Sequence, residues 1–400
     1  MTAERIVIVG GGLAGAKAAV ALKEGGFAGS LTIVGDERHP PYERPPLSKD
    51  YLQGASTADD MLVVPAAWYD DNDVVRIEGV TAESIDREHR RVHLSDGQEL
   101  PYDALILATG ASPRRLDIPG KDLALTLRSV EDSDELKAAY ADASTVVIIG
   151  GGWIGLETAA AARAAGVDTV LLEREPLPLQ QVLGDELGGY FADLHRRNDV
   201  DLRTSSSVES ISGSGPYVVR TDGGDIEADV VVMGVGAAPR TELAERAGLA
   251  TDNGVIVDES FRTSDPAIYA VGDVANAYNA ARGESLRVEH WDNAIRQGEA
   301  VAKVVLGGEV TYDWQPYFFS DQFDLGMEYV GRSSASDEVV IRGDKDSGEF
   351  IAFWLGDGRV TAAMNVNVWD VNDDLRALIG RRVDLERLVD PDVPLGEGSE

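Results

Sequence analysis

The chain has 400 residues, 44% of them hydrophobic and 26% charged, which indicates two or three domains with an ample core and the composition of a soluble globular protein. Its net charge of -34 argues against nucleic-acid binding, because a basic surface would have to neutralise phosphates within a strongly negative field. Cysteine is absent, which excludes structural disulfides, a thiolate nucleophile, cysteine-bound metal clusters and a redox-active dithiol.

The first predicted elements lie in the segment RIVIVGGGLAGAKAAV, residues 5–20. A β-branched run leads into glycines and then into an alanine-rich run, which predicts a buried strand, a tight turn and a helix. Gly10, Gly12 and Gly15 match the pattern G-x-G-x-x-G, in which the glycines make the turn, let the backbone approach a pyrophosphate and pack helix on strand. A bound dinucleotide is predicted, and a coincidental glycine-rich turn is the alternative.

The next strand ends in Asp36 and Glu37, where a carboxylate can accept a hydrogen bond from a ribose hydroxyl. A loop with four prolines follows at residues 39–52 and excludes both a helix interior and a central strand. We expect this stiff loop to hold Arg44 and Lys49 as fixed cations, with an ordinary surface loop as the alternative.

A second buried strand, LILATG, ends in small residues, which indicates that something lies close to the strand end; these residues are Ala108, Thr109 and Gly110. Residues 228–240 mirror this segment, so the two halves of the chain form an internal repeat. A later short strand ends in Gly272 and Asp273, where the aspartate can hold a hydroxyl on the ribityl or phosphate side of a cofactor.

Residues 145–175 repeat the strand, glycine turn and helix, with Gly150, Gly152, Gly155 and a strand that ends in Glu173. Two such fingerprints are far more specific than one and predict two bound dinucleotides, between which electrons are expected to pass. Glu173 favours NADH over NADPH, because a carboxylate would repel a 2′-phosphate, although the arginine beside it could attract one.

Residues 317–390 alternate short strands with turns before a helix, which predicts a third, smaller α+β domain, and the tail from residue 390 is expected to be disordered. The five histidines show no metal-ligand spacing and are interpreted as structural or exposed, so no metal site is predicted: His39, His89, His93, His195 and His290. No apolar run is long enough to cross a membrane and the first strand begins too early for a signal peptide, so we expect a cytoplasmic protein.

The motifs IVIVGGGLAG, VGDERHPPYERPPLSK, LILATGASPR, VVIIGGGWIGLE, TSDPAIYAVGDVA, EHWDNA and YFFSDQF occur in the order found in one family. The chain resembles the FAD-dependent, NADH-oxidising ferredoxin reductases of oxygenase systems over almost its whole length. The resemblance implies an α/β, glutathione-reductase-like flavoprotein with two dinucleotide-binding domains and a C-terminal α+β interface domain. The expected FAD domain is discontinuous, at residues 1–112 and 241–316, the NAD domain covers 113–240, and the C-terminal domain covers 317–400.

The resemblance also implies residue roles. The FAD contacts would be Gly10, Gly12, Ala14, Gly15, Asp36, Arg44, Lys49, Ala82, Arg128, Asp273 and Trp291. The NADH contacts would be Gly150, Gly152, Ile154, Gly155, Glu173 and Gly236. The motifs themselves add to the cofactor-binding set Leu13, Glu37, Ala108, Thr109, Gly110 and Gly272.

Three residues are candidates for the reaction itself. The family places Lys49 and Glu157 near the flavin, where the pair could set the charge beside the reacting ring edge, with a purely structural salt bridge as the alternative. Trp291 could lie beside the flavin or the nicotinamide, with a core tryptophan as the alternative. Related reductases commonly carry tryptophan where Phe319 stands, which leaves the route by which electrons leave open.

The resemblance implies that NADH gives a hydride to FAD and that the reduced FAD passes electrons singly to an iron–sulfur ferredoxin that supplies an oxygenase. Alternatives on the same fold are rubredoxin, quinone or ascorbate-radical reduction, or an NADH-responsive binding protein like apoptosis-inducing factor. A monomer or weak homodimer that binds neither nucleic acid nor membrane is expected. Ferredoxins are usually acidic, so docking should need a local basic patch, for which the candidates are Arg114, Arg115, Arg332, Arg342, Arg381 and Arg382.

Overall fold

The computed structural model describes residues 3–395 and forms two compact units. Unit 1 contains Met1–Arg44, Thr57–Ser112 and Ala237–Trp314. Unit 2 contains Pro45–Ser56, Pro113–Gly236 and Gln315–Glu400. The short segment Pro45–Ser56, which carries Lys49, is therefore part of unit 2.

The strands are β1 (Arg5–Val9), β2 (Ser30–Gly35), β3 (Val74–Glu78), β4 (Ala82–Asp86), β5 (Arg91–Leu94), β6 (Glu99–Pro101), β7 (Ala104–Leu107), β8 (Ala111–Pro113), β9 (Thr145–Ile149), β10 (Asp168–Leu172), β11 (Val200–Arg203), β12 (Val208–Gly213), β13 (Tyr217–Thr221), β14 (Gly224–Ala228), β15 (Val230–Met233), β16 (Ala237–Pro239), β17 (Val255–Val257), β18 (Ile268–Ala270), β19 (Ala275–Asn279), β20 (Glu284–Arg287), β21 (Tyr317–Gln322), β22 (Leu325–Gly331), β23 (Glu338–Asp344), β24 (Glu349–Gly356) and β25 (Arg359–Val366). The helices are α1 (Leu13–Glu24), α2 (Ala67–Asp71), α3 (Val130–Asp142), α4 (Trp153–Ala164), α5 (Gln180–Arg197), α6 (Glu242–Arg246), α7 (Trp291–Val305), α8 (Asn372–Leu378) and α9 (Leu385–Val389).

Unit 1 is built on a parallel five-stranded sheet in the order β18-β7-β1-β2-β3. The β-branched residues of β1 are buried, as expected for a central strand covered on both faces. Helix α1 packs against α7, where Gly298 lies so close that a Cβ would meet the backbone of Ala18. Strand β1 lies between β2 and β7, so its carboxyl end is the switch point where parallel sheets bind ligands.

Unit 2 contains a second parallel sheet in the order β11-β10-β9-β15, in which β9 occupies the position that β1 has in unit 1. It also contains an antiparallel sheet in the order β21-β22-β25-β24-β23, with α8 and α9 packed on it. Trp354 and Phe353 of β24 are fully buried in cores on the two faces of this sheet.

The proline-rich loop is neither a helix interior nor a central strand, whereas the prediction for the tail needs correction. The proline-rich loop contains a 3-10 turn, Pro45–Ser48, because a proline fits the first turn of a helix, where no amide donor is needed. The tail is not disordered over residues 390–395: Leu395 is buried, and Arg342 donates to the carbonyls of Pro391 and Val393 at 3.2 and 2.6 Å. The rest of the predicted tail, residues 396–400, lies outside the described residues.

Across residues 3–395, no helix combines the length and apolar character that a membrane crossing requires.

Candidate functional site

The first glycine turn lies between β1 and α1 in unit 1. Gly10 has a φ of 127°, which disfavours any other residue, and a Cβ there would overlap the carbonyl of Ala108. A Cβ on Gly15 would overlap the carbonyl of Gly10, so this glycine lets the helix close onto the strand. The turn therefore has the steric requirements that the sequence pattern predicts.

The turn between β9 and α4 in unit 2 repeats this geometry. Gly150 has a φ of 108°, and a Cβ there would overlap the carbonyl of Gly234, which follows β15 as Ala108 follows β7. A Cβ on Gly155 would overlap the carbonyl of Gly150. The internal repeat seen in the sequence is thus also a repeat of backbone geometry.

The middle glycines of the two turns, Gly12 and Gly152, differ from the first and third glycines. Neither the backbone conformation nor the packing of residues 3–395 requires a glycine at these two positions. Gly12 and Gly152 have φ of -91° and -81°, which any residue can adopt, and a Cβ on either would meet no heavy atom of residues 3–395 within 4 Å. Beside Gly152 the apolar side chain of Ile154 is 42% exposed. Open space in front of a glycine at a helix start fits a dinucleotide pyrophosphate, so both turns could hold such a cofactor.

A cleft in unit 1 opens beside Gly10 and is lined also by Asp36, Ala82, Thr109 and Arg240. Nη1 of Arg240 donates to Oδ2 of Asp36 at 2.8 Å, and its Nε donates to Oγ of Ser112 at 2.7 Å. The hydroxyl of Thr109 donates to the carbonyl of Arg240 at 2.9 Å. These bonds fix the guanidinium beside the carboxylate of Asp36, whose side chain is 49% exposed and so accessible to a ribose hydroxyl.

Glu37 and Arg44 form an ion pair with each other. Nη2 of Arg44 lies 2.6 Å from Oε1 of Glu37, and the hydroxyl of Tyr42 donates to Oε2. Burial alone would lower the pKa of the Arg44 guanidinium, but Tyr42, Glu37 and Asp273 outweigh burial, so the pKa is raised. Asp36 is therefore the more accessible of the two predicted ribose acceptors.

The strand end at Gly272 and Asp273 forms a single 3-10 turn, Gly272–Val274, rather than the start of a longer helix. The amide of Gly272 donates to Oε1 of Gln297 on α7 at 2.8 Å, and a Cβ on Gly272 would press against that of Ala14. Trp291 begins α7 and is half-buried against the core of unit 1, a packing role compatible with a cofactor contact.

In unit 2, both carboxylate oxygens of Glu173 accept from backbone amides. Gly151 donates to Oε2 at 2.5 Å and Glu175 donates to Oε1 at 2.7 Å. Arg174, which could attract a 2′-phosphate, has its side chain exposed and pairs with Glu175 at 3.1 Å. The carboxylate of Glu173 is thus held beside the glycine turn, as a ribose acceptor would be.

The half-buried Lys49 and the buried Glu157 form an ion pair within unit 2, with Nζ and Oε2 2.8 Å apart. Ser48 also donates to Oε2, and Ser320 donates to Oε1 at 2.7 Å. The ammonium lies over the ring of Phe319, 5.5 Å from its centroid. The carboxylate of Glu157 therefore accepts from three donors, and the ion pair forms a single cluster with Phe319 and Ser320 of β21.

The predicted residues divide between the units. Unit 1 holds Gly10, Gly12, Leu13, Ala14, Gly15, Asp36, Glu37, Arg44, Ala82, Ala108, Thr109, Gly110, Gly272, Asp273 and Trp291. Unit 2 holds Lys49, Arg128, Gly150, Gly152, Ile154, Gly155, Glu157, Glu173 and Gly236. Arg128 lies just before α3, where its amide donates to Oδ2 of Asp132 at 2.8 Å, and Gly236 is exposed after β15 with a φ of 95°.

Arg240 and Ser320 were not predicted from the sequence. No local signal marks Arg240, because its partner Asp36 is 204 residues away. Ser320 lies in the recognised motif YFFSDQF, where strand alternation between aromatic residues could have marked it as facing inward. Two docking candidates also have local roles: Arg115 donates to the carbonyls of Lys121 and Ala124, and Arg342 holds the tail.

Comparison with known proteins defines the class. Residues 4–298 match the pyridine nucleotide-disulphide oxidoreductase family, and residues 317–398 match the reductase C-terminal domain family. The chain belongs to the pyridine nucleotide-disulphide oxidoreductase family, and it is an oxidoreductase. Because it has no cysteine, the disulphide of the family name has no counterpart here.

Individual relatives are more specific. The chain is 38% identical to the anthranilate 1,2-dioxygenase system ferredoxin–NAD(+) reductase component of Burkholderia cepacia, over 99% of both chains. It is 39% identical to rhodocoxin reductase of Rhodococcus erythropolis, over 90% of this chain and 86% of that one. Its fold matches the reductase in the covalent putidaredoxin reductase–putidaredoxin complex with a TM-score of 0.94 at 35% identity, over 98% of this chain and 97% of that one. The predicted resemblance and fold class are confirmed.

Proposed function

We propose that this protein is an NADH-dependent flavoprotein reductase that passes electrons from NADH via FAD, one at a time, to an iron–sulfur ferredoxin that supplies an oxygenase. The observation that carries the proposal is the pair of open glycine turns at Gly12 and Gly152, because a protein with two dinucleotide sites is suited to electron transfer between them. When bound, FAD supplies the conversion from hydride acceptance to single-electron release. The names of the relatives support a ferredoxin as acceptor.

The turn in unit 1 is assigned to FAD. Gly12 would face the pyrophosphate, Asp36 would accept from the adenosine ribose, and Asp273 would hold a hydroxyl nearer the ribityl chain. Residues 1–112 and 241–316 would make up this FAD domain, residues 113–240 the NAD domain and residues 317–400 the C-terminal domain.

The turn in unit 2 is assigned to NADH. The fixed carboxylate of Glu173 would accept from the 2′-hydroxyl of the adenosine ribose and repel a 2′-phosphate. The exposed side chain of Ile154 would be covered by the bound nucleotide, which explains an apolar residue at this position.

Lys49 and Glu157 are assigned to setting the charge beside the reacting part of FAD. Ser48, Ser320 and Phe319 hold the pair in one arrangement, so that neither side chain has to move to find a partner. Trp291 is assigned to a stacking contact with FAD or nicotinamide.

The strongly negative charge supports further parts of the proposal. A net charge of -34 repels phosphates, so the protein should bind neither nucleic acid nor membrane. We further place it in the cytoplasm, as a monomer or weak homodimer. Docking of an acidic ferredoxin would then depend on local arginines, of which Arg114, Arg115, Arg332, Arg381 and Arg382 are exposed and Arg342 is half-buried.

Steady-state assays test this function. Purified protein, NADH and cytochrome c are combined with and without a small iron–sulfur ferredoxin. Fast cytochrome c reduction that requires the ferredoxin is expected. Equal rates without ferredoxin, or efficient direct reduction of a quinone or rubredoxin instead, would contradict the proposed acceptor. Slow turnover with every acceptor, together with NADH-dependent binding of another protein, would point to the binding-protein alternative.

A further inference from the structure

A line of buried polar side chains in unit 2 leads to Glu157, and only its nearest member has entered the proposed function. Nε2 of His195 lies 3.0 Å from Oε1 of Gln322, and Nε2 of Gln322 lies 3.0 Å from Oγ of Ser320. Oγ of Ser320 lies 2.7 Å from Oε1 of Glu157. The exposed fractions are 0% for His195, 1% for both Gln322 and Ser320, and 4% for Glu157. The four side chains therefore form a continuous chain of hydrogen bonds shielded from solvent.

The direction of every bond in this chain follows from its partners. An ionised carboxylate only accepts hydrogen bonds, so the hydroxyl of Ser320 must donate to Glu157 and accept from the side-chain amide of Gln322. The carbonyl oxygen of Gln322 is then left to accept from Nε2 of His195, which must carry a hydrogen. All donors consequently point toward Glu157, as the field of a negative charge requires.

The imidazole at the far end is neutral at ordinary pH. Burial lowers the pKa of His195 to about 4, and the bond to Gln322 opposes burial only partly. Nδ1 of His195 has no hydrogen-bond partner within residues 3–395, and the ring of Phe323 packs at its edge. A second proton would therefore be buried without an acceptor, so the direction of the chain is fixed.

The amide of Gln322 also prevents the chain from conducting protons, because an amide does not readily give up a hydrogen and regain another, as an imidazole or a carboxyl does. We propose that Ser320, Gln322 and His195 are positioning residues that hold Glu157 as a fixed anion against Lys49, so that the charge of this pair stays constant during turnover. The role of the pair in catalysis rests on the proposed function, whereas the holding of Glu157 does not.

Other charged groups face the same cluster. Lys49 contacts Oε2 of Glu157, which also accepts from Ser48. The carboxyl of Asp321, the residue after Ser320, has a raised pKa. Partial burial raises this pKa, Lys49 lowers it, and Glu157 and Asp50 raise it further. Removal of the donor from Ser320 would leave Lys49 and Ser48 as donors to Glu157, with Asp321 as a competing negative charge.

The first test measures the ionisation of Glu157 directly. Infrared spectra of the holoenzyme are recorded across about pH 5 to 9, and the carboxylic-acid band of Glu157 is identified by its loss in Glu157→Gln. Ser320→Ala and His195→Leu should each strengthen the carboxylic-acid band of Glu157 relative to the wild type at the same pH, because each variant interrupts the hydrogen bonds that lead to this carboxylate. His195→Gln keeps a donor near the position of Nε2 and should restore wild-type behaviour. Thr158→Val is the structural control, because Thr158 is buried on the same helix as Glu157 but takes no part in this line of hydrogen bonds.

The second measurement is the midpoint potential of FAD in the same proteins. Loss of a negative charge beside FAD should raise the potential, so Ser320→Ala and His195→Leu should shift it toward the value of Glu157→Gln. If the carboxylic-acid band of Glu157 strengthens in these variants but the potential is unchanged, the positioning role holds and the assignment of the pair to the FAD is wrong. If Glu157 stays ionised throughout in both Ser320→Ala and His195→Leu, the positioning role is overturned.

Discussion

Arg240 donates to Asp36 at 2.8 Å across a cleft in unit 1, although the two residues are 204 positions apart in sequence. The guanidinium fixes one oxygen of the carboxylate and so orients the other. If Asp36 accepts from the ribose of FAD, Arg240 should contribute to FAD retention without contacting the reacting ring.

We expect Arg240→Gln to speed the release of FAD from the holoenzyme roughly fivefold, since an ion pair of this exposure contributes up to ~1 kcal/mol. Release is followed by flavin fluorescence after dilution. Arg246→Gln removes a charge from the same cleft without touching Asp36 and serves as the matched control. Equal release rates for the two variants would mean that Arg240 has no part in holding FAD.

Substitution by alanine should have different effects at two glycines of the first turn, Gly12 and Gly10. Gly12→Ala should leave the thermal stability of the FAD-free protein unchanged but reduce FAD occupancy, because the new methyl meets only the space assigned to the cofactor. Gly10→Ala should lower the stability itself, because its φ is 127° and its methyl would overlap Ala108. Flavin content and circular-dichroism melting of both variants check this, and full FAD occupancy in Gly12→Ala would refute the assignment.

Coenzyme choice should depend on the carboxylate of Glu173. Glu173→Ala removes the group that repels a 2′-phosphate, so the preference for NADH over NADPH in kcat/KM should narrow by about tenfold or more. Asp225→Asn, which removes a carboxylate from the exposed ion pair with Arg220 elsewhere in unit 2, is the control and should leave the preference close to wild type. A wild-type protein that uses NADPH as well as NADH would contradict the prediction.

The buried imidazole of His195 predicts a specific acid sensitivity. Its folded pKa of about 4 lies below the unfolded value near 6.5, so only the unfolded chain binds the proton between these values. The contribution of His195 to the free energy of unfolding is therefore fully present above about pH 6.5. It is lost as the pH drops toward 4, by on the order of 3 kcal/mol in total, at about 1.4 kcal/mol per pH unit.

His195→Gln should remove this part of the acid sensitivity while keeping the donor to Gln322. Melting temperatures of both proteins are compared near neutral pH and near pH 4.5, where the wild type should lose more than the variant. His89→Gln, at an exposed histidine, is the control. An equal loss in wild type and His195→Gln would show that the imidazole is not held neutral.

The two nucleotide turns were predictable because their evidence is local. Six glycines at fixed spacing, between β-branched runs and alanine-rich helices, specify strand, turn and helix, and only the turn geometry had to be supplied by the structure. The doubling of this pattern also identified the fold class, since few architectures contain it twice.

The contacts that the sequence did not reveal are those between distant segments. Glu157 is 163 residues from Ser320, and His195 is 127 residues from Gln322. His195 was interpreted as structural or exposed, and its spacing in the sequence could not show that its side chain is fully buried. The tail was mistaken for disorder because it is polar and proline-containing, whereas Arg342 donates to two of its carbonyls, those of Pro391 and Val393.

The open space at Gly12 and Gly152 has a consequence for cofactor engineering. Each turn lies wholly within its own compact unit, and neither middle glycine is required by the backbone or the surrounding packing of the described chain. A graded series of side chains at position 152 would therefore tune the fit of natural or synthetic nicotinamide compounds while the unit 1 turn keeps its affinity. The same series at position 12 would offer an independent adjustment for flavin analogues, so that donor and prosthetic group can be changed one at a time.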